Sequence, residues 1–69
     1  MLKAYHKETG KEIKKGDIIK DFRNDENIFI MATRATKPGK AGKVLVKSTE
    51  GSYEAEYYAT VFNLIIKDE

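Results

Sequence analysis

His6 is the only histidine in the chain. It stands in "LKAYHKET", and no cysteine accompanies it anywhere in the 69 residues. Nucleophilic catalysis needs a Ser, Thr or Cys activated by a base held beside it. Ser48 and Ser52 lie in "VLVKSTEGS", without the glycine-flanked setting of a nucleophile elbow. A lone histidine near a chain end reads as a surface or edge-strand residue rather than a base. Asp17, Asp21, Asp25 and Glu26 surround "KDFRNDEN", and Asp21-x-x-x-Asp25-Glu26 offers oxygens to a hard cation. That spacing fits no calcium loop, so the acids read as a solvated loop. "KPGKAGK", residues 37 to 43, has the glycines and lysines of a phosphate loop. It lacks the frame of one and the Ser or Thr that follows, and no helix comes after it to seat a phosphate. The expectation is a protein that is not an enzyme, with no cofactor and no metal.

What remains is charge. "TRATKPGKAGKVLVK", residues 33 to 47, carries Arg34, Lys37, Lys40, Lys43 and Lys47 with no acid among them. The formal net charge is only +2, but it is segregated. Residues 1 to 49 hold twelve Lys and Arg against six acids, and residues 50 to 69 hold one Lys against five. If the segments on either side of Pro38 and Gly39 pair, the five basic residues gather along one hairpin. Each that neutralises a phosphate releases counterions, so a sequence-tolerant nucleic-acid contact is the first expectation. Tyr5, Phe29, Tyr53, Tyr57 and Tyr58 are the aromatics that would stack on unpaired bases. The competing assignment puts Phe22, Phe29 and Phe62 in the core and leaves the tyrosine hydroxyls at the surface. A second expectation is a protein-interaction or inhibitor surface at Tyr53, Glu54, Glu56 and Tyr57, because tyrosine is enriched at interface hot spots.

The elements that must position these residues are short. Leu2 to His6 alternates and then meets Glu8-Thr9-Gly10, so a strand, a turn and a second short segment through Ile13 are expected. Gly16-Asp17 precedes Ile18-Ile19, and Phe22 continues that apolar set. "NIFIMATRAT", 27 to 36, is a strand with an apolar start on both faces. "VLVKST", 44 to 49, and "SYEAEYY", 52 to 58, are strands joined at Glu50-Gly51, and the second should be half-buried by its alternation. "ATVF" is too short for a stable α-helix and reads as one 3₁₀ turn before a last strand, "NLIIK".

Sixty-nine residues make one domain, 1–69, with a marginal core and no disulfide to help it. Five or six short strands with glycine-bearing turns suggest an all-β barrel, since closure removes exposed edges. Neither a leader's apolar core nor a run of about 20 apolar residues is visible, so a cytoplasmic protein with no membrane contact is expected. So small a core makes a monomer or weak homodimer the expected state.

Two resemblances follow from these residues. Gly16, Asp17 and Ile18, with Lys40, Gly42, Lys43, Val44 and Leu45, resemble elements of KOW-type SH3-like barrels, which implies a ribosomal or RNA partner. The layout of the whole chain is similar to that of small SH3-like β-barrel proteins carried by bacterial phages and mobile elements. The residues that carry this second likeness are Gly16, Asp17, Asp21, Phe22 and Arg23, then Pro38 to Val44, then Tyr57, Tyr58, Val61, Phe62, Leu64 and Ile66. That resemblance implies a small SH3-like barrel of five or six strands with a 3₁₀ turn before the last, and no particular activity.

Overall fold

The computed structural model describes residues 1–35, 41–51 and 53–69. The chain is all-β. Its strands are β1 (Leu2–His6), β2 (Glu12–Ile13), β3 (Ile18–Lys20), β4 (Glu26–Arg34), β5 (Lys43–Ser48), β6 (Glu54–Tyr58) and β7 (Leu64–Asp68). A 3₁₀ turn, Ala59–Phe62, stands between β6 and β7, as the sequence of "ATVF" predicts. The strands form two antiparallel sheets, ordered β2-β1-β7 and β3-β4-β5-β6. No ladder joins the two sheets among the described residues. Among the described residues there are seven strands rather than five or six, because the segments at Glu12–Ile13 and Ile18–Lys20 each pair separately.

The core lies where the two sheets face each other. Ala4, Leu64 and Ile66 come from one sheet, Ile19, Phe29, Ala32, Val44 and Val46 from the other, and Ala59 and Phe62 from the 3₁₀ turn. In β5, simple alternation places Val44 and Val46 inside and turns Lys43, Leu45 and Lys47 outward. In β4 it does not. The β4–β5 register shifts between Phe29 and Met31, so Phe29 opposes Val46, Met31 opposes Leu45, and Ala32 opposes Val44. This irregularity lets Phe29 and Ala32, three residues apart, both point inward. It also turns Met31 out, where it is 52 % exposed. The apolar run "IFIM" therefore serves both faces because the strand rotates partway along it.

Two residues of the Ile18-Ile19-Phe22 apolar set face water, Phe22 among them against the assignment that put it in the core. Phe22 is 80 % exposed and does not belong to the core, and Ile18 is 51 % exposed. Phe29 and Phe62 are core residues as expected. The reason for Phe22 is local. It lies not on β3 but in the loop that follows, where the period of the strand no longer applies.

The chain ends are tied together. Glu69 N–H donates to the Met1 carbonyl at 2.8 Å, and the Tyr5 hydroxyl donates to the Glu69 carboxylate. That bond, with loss of hydration and the nearby charges of Glu69 and Glu12, pushes the Tyr5 phenol up to about 12. Gly42 fixes the entry to β5. A Cβ there would lie 2.6 Å from the Arg34 carbonyl oxygen and 2.6 Å from Ile66 Cγ1. Its absence lets the two sheets approach, and Gly42 accepts a bond from Ala59 N–H at 2.7 Å. Because one blocking atom is backbone, Gly42→Ala should destabilise the fold by about 1–3 kcal/mol, an overpacking cost. Urea unfolding of the variant checks this, and an unchanged midpoint would show that the strand entry can shift at no cost.

Candidate binding surfaces

The outer face of the four-stranded sheet is built by cross-strand pairs. On β5 and β6, Lys43 opposes Tyr58, Leu45 opposes Glu56 and Lys47 opposes Glu54. On the other side of β5, Arg34 opposes Lys43. The tight turn at Glu50-Gly51 sets this register. Gly51 takes φ 75°, the left-handed region, and its N–H donates to the Ser48 carbonyl at 2.9 Å. The Lys43 ammonium therefore reaches two partners on β6, the Glu56 carboxylate at 3.6 Å and the Tyr58 ring at 4.9 Å from its centroid.

Glu56 is held below the usual carboxylate range. The Thr33 hydroxyl contributes most, loss of hydration opposes it, and the charges of Lys43 and Arg34 add to the lowering. The Thr33 oxygen is shielded from solvent and completes no hydrogen bond of normal geometry, so its hold on Glu56 is a loose one. A surface pair of this kind contributes little to stability on its own. Its effect is on the surface potential, because it places a carboxylate beside the cation it partly cancels.

This geometry rearranges the two surfaces expected from sequence. Of the five basic residues, Arg34, Lys43 and Lys47 lie along one outer face, with Arg34 exposed. Lys37 and Lys40 fall outside the described residues. Lys43 forms an ion pair with Glu56 and Lys47 stands opposite Glu54, so the basic stretch and the acidic residues share one face. Tyr53 and Tyr57 do not join it. Strand alternation turns them to the other side of β6, away from Glu54, Glu56 and Tyr58. The expected acidic, tyrosine-rich surface is thus two surfaces.

On that other side is a groove of about 400 Å³. The loop between β3 and β4 forms one wall, the β5–β6 turn the second, and Tyr57, Val61 and Phe62 line its base. Tyr57 meets Phe62 edge to face, with ring centroids 5.9 Å apart. Phe22 stands on the rim and Tyr53, 61 % exposed, faces the groove beside it.

The loop presenting Phe22 is not loose. The Asp21 side chain is only 8 % exposed, and its Oδ1 accepts N–H bonds from Arg23 at 2.8 Å and Asp25 at 3.0 Å. The Asp21 N–H donates to the Asp25 carbonyl at 3.1 Å, and Asn24 takes φ 68° to complete the turn. The Arg23 guanidinium lies 5.6 Å from the Phe22 ring centre and 3.6 Å from Asp21 Oδ2. Asp21 is therefore occupied by its own loop, as the shielded carboxylate that closes the turn. Phe22 and Arg23 are the functional candidates that sequence reasoning missed as a site. The signal was an aromatic residue inside a run of turn formers, followed by arginine.

His6 Nδ1 accepts the Glu8 N–H at 3.3 Å within a turn, away from the groove. No group of three or more His, Cys, Asp and Glu side chains is placed to hold a metal among the described residues. No helix among them is long and apolar enough to cross a membrane. Comparison with family models, curated proteins and solved structures finds no match for this chain.

The lowered Glu56 carboxyl makes a pH prediction. A carboxylate whose folded pKa lies below its unfolded value stabilises the fold above the unfolded value, and that contribution is lost as pH falls through the folded one. The stability difference between the native chain and Glu56→Gln should thus be present at neutral pH and vanish in acid below the ordinary carboxylate range. Urea midpoints across a pH series measure it. A difference that is flat with pH would mean that the Lys43, Arg34 and Thr33 environment leaves Glu56 unperturbed.

Proposed function

We propose that this chain is a non-enzymatic binding module, built as a small SH3-like barrel, that engages a partner protein through the groove walled by the Phe22 loop and the β5–β6 turn. The observation that carries this reading is Phe22 itself. A large aromatic ring is 80 % exposed on a turn that the Asp21 carboxylate locks in place. Leaving such a ring in water forfeits the roughly 1.5–3 kcal/mol that its burial would contribute. The Phe22, Tyr53 and Tyr57 rings together have the composition of an interface hot spot. The likeness to small proteins of bacterial phages and mobile elements supports a module acting in the cytoplasm of a host cell, as monomer or weak homodimer.

A second reading is sequence-tolerant nucleic-acid binding through Arg34, Lys37, Lys40, Lys43 and Lys47. The acid-free run from 27 to 49 and the exposed Arg34 favour it. Glu56 beside Lys43 and Glu54 opposite Lys47 reduce the field this face offers to phosphate. The charge left over for an anion rests on Arg34, Lys37 and Lys40.

Two variants separate these readings. Phe22→Ala with Tyr53→Ala changes only exposed rings, and a surface substitution of this kind moves stability by about 0.5 kcal/mol or less. It should cost a host partner captured by the native chain about tenfold or more in affinity, as hot-spot truncation does. Lys37→Glu with Lys40→Glu should leave that capture intact. Fluorescence anisotropy with labelled single-stranded DNA, duplex DNA and RNA, at low and near-physiological salt, checks the alternative. Steeply salt-dependent binding that Lys37→Glu/Lys40→Glu abolishes, with capture indifferent to Phe22, would replace the first reading by the second.

A further inference from the structure

A second cleft opens on the other side of the molecule, and nothing in the groove reading uses it. Its volume is about 560 Å³, and it lies between β1 and β2 of one sheet and the middle of β4 in the other. Leu2, Ala4 and Ile13 line it from one side, and Phe29, Met31 and Ala32 from the other. Met31 is 52 % exposed there and Met1 is 83 % exposed. Methionines in such a place adapt to irregular apolar partners.

Three properties of this cleft point to one kind of occupant. The first is unpaired backbone. The strand β3 pairs with β4 only along Glu26 to Ile28, and the Gly16 N–H to Phe29 carbonyl bond extends that contact by one residue. From Ile30 to Arg34, β4 has a ladder partner only on its β5 side among the described residues. The two-residue strand β2 is likewise paired only with β1. Two strand edges without a ladder partner among the described residues thus flank the cleft, and an extended peptide pairs with such edges. The second property is the apolar lining. The third is charge: Lys3, Lys14 and Lys15 stand at the cleft, with Glu12 alone against them.

We propose that this cleft docks an extended segment of a partner protein in which apolar residues alternate with acidic ones. Alternation follows from the geometry of a strand, whose successive side chains point to opposite sides. The apolar side chains enter the cleft and the carboxylates face the three lysines. An acyl chain would fill the lining but leave both strand edges unpaired. A nucleic-acid strand would meet the lysines but not the apolar walls.

The test is an amide NMR titration of the full chain with a capped hexapeptide alternating valine and glutamate. Its valine–lysine counterpart and dodecanoate are run in parallel. The expected result is that the glutamate peptide moves the amides of Ile13, Ile30 and Met31, leaves those of Phe22 and Tyr53 in place, and weakens as salt rises. Lys14→Glu with Lys15→Glu changes two exposed side chains, and should weaken the glutamate peptide about fivefold or more and favour the lysine peptide. Phe22→Ala should bind the glutamate peptide as the native chain does, which separates this cleft from the groove. Equal shifts from both peptides, no shifts at Ile30 and Met31, or a stronger response to dodecanoate would each overturn the proposal.

Discussion

The β4–β5 ladder carries an irregularity between Phe29 and Met31, and both faces of the larger sheet take their character from it. Without the shift, alternation would send Phe29, Met31 and Thr33 to one side. With it, Phe29 and Ala32 meet Val46 and Val44 inside, and Met31 joins Leu45 outside. A domain of this length buries only about 60 % of the surface its unfolded chain exposes. It has few core positions to spare, and Phe29 and Ala32 are both buried only because the strand rotates between them. A second shift, between Ala32 and Arg34, carries Arg34 to the outer face opposite Lys43, and beyond Phe29 β4 has no ladder partner on its far side among the described residues.

Charge on the molecule is organised by register rather than by sequence neighbourhood. Lys43 and Glu56 are thirteen positions apart, yet the Glu50-Gly51 turn brings them to 3.6 Å. The acid-free run therefore does not make an acid-free surface. The apolar side of β6 works differently. There Tyr57 packs edge-on against the core residue Phe62, and Tyr53 and Phe22 line the same groove with their rings exposed. The groove thus has an apolar base tied to the core through Tyr57 and Phe62, with Asp21 holding the loop that carries Phe22 at its rim.

Much of the fold was legible in the sequence because its signals are local. Val44 and Val46 alternate with charged or outward residues, Gly51 sits where a positive φ is needed, and "ATVF" is too short for anything but a single turn. What was not legible depends on contacts distant in sequence. The β4 irregularity is defined by what lies across from it on β5. Phe22 reads as core by hydrophobicity alone, and only the Asp21 hydrogen bonds, which close the loop behind it, reveal that it faces water. The split of Tyr53 and Tyr57 from Glu54 and Glu56 follows from alternation that the sequence does show. Adjacency in the chain disguised it, because four neighbours in a strand occupy two surfaces.

The strand β6 is the last in its sheet, so one of its backbone edges has no ladder partner among the described residues. Edges of this kind are templates for runaway pairing between chains. Here the outward side chains along that edge are Glu54, Glu56 and Tyr58. Two copies meeting β6 to β6 would bring four carboxylates into one small patch. Glu56 would resist neutralisation there, because its own surroundings favour the ionised form. The acids that offset Lys43 and Lys47 on this face thereby also disfavour edge-to-edge pairing of two copies.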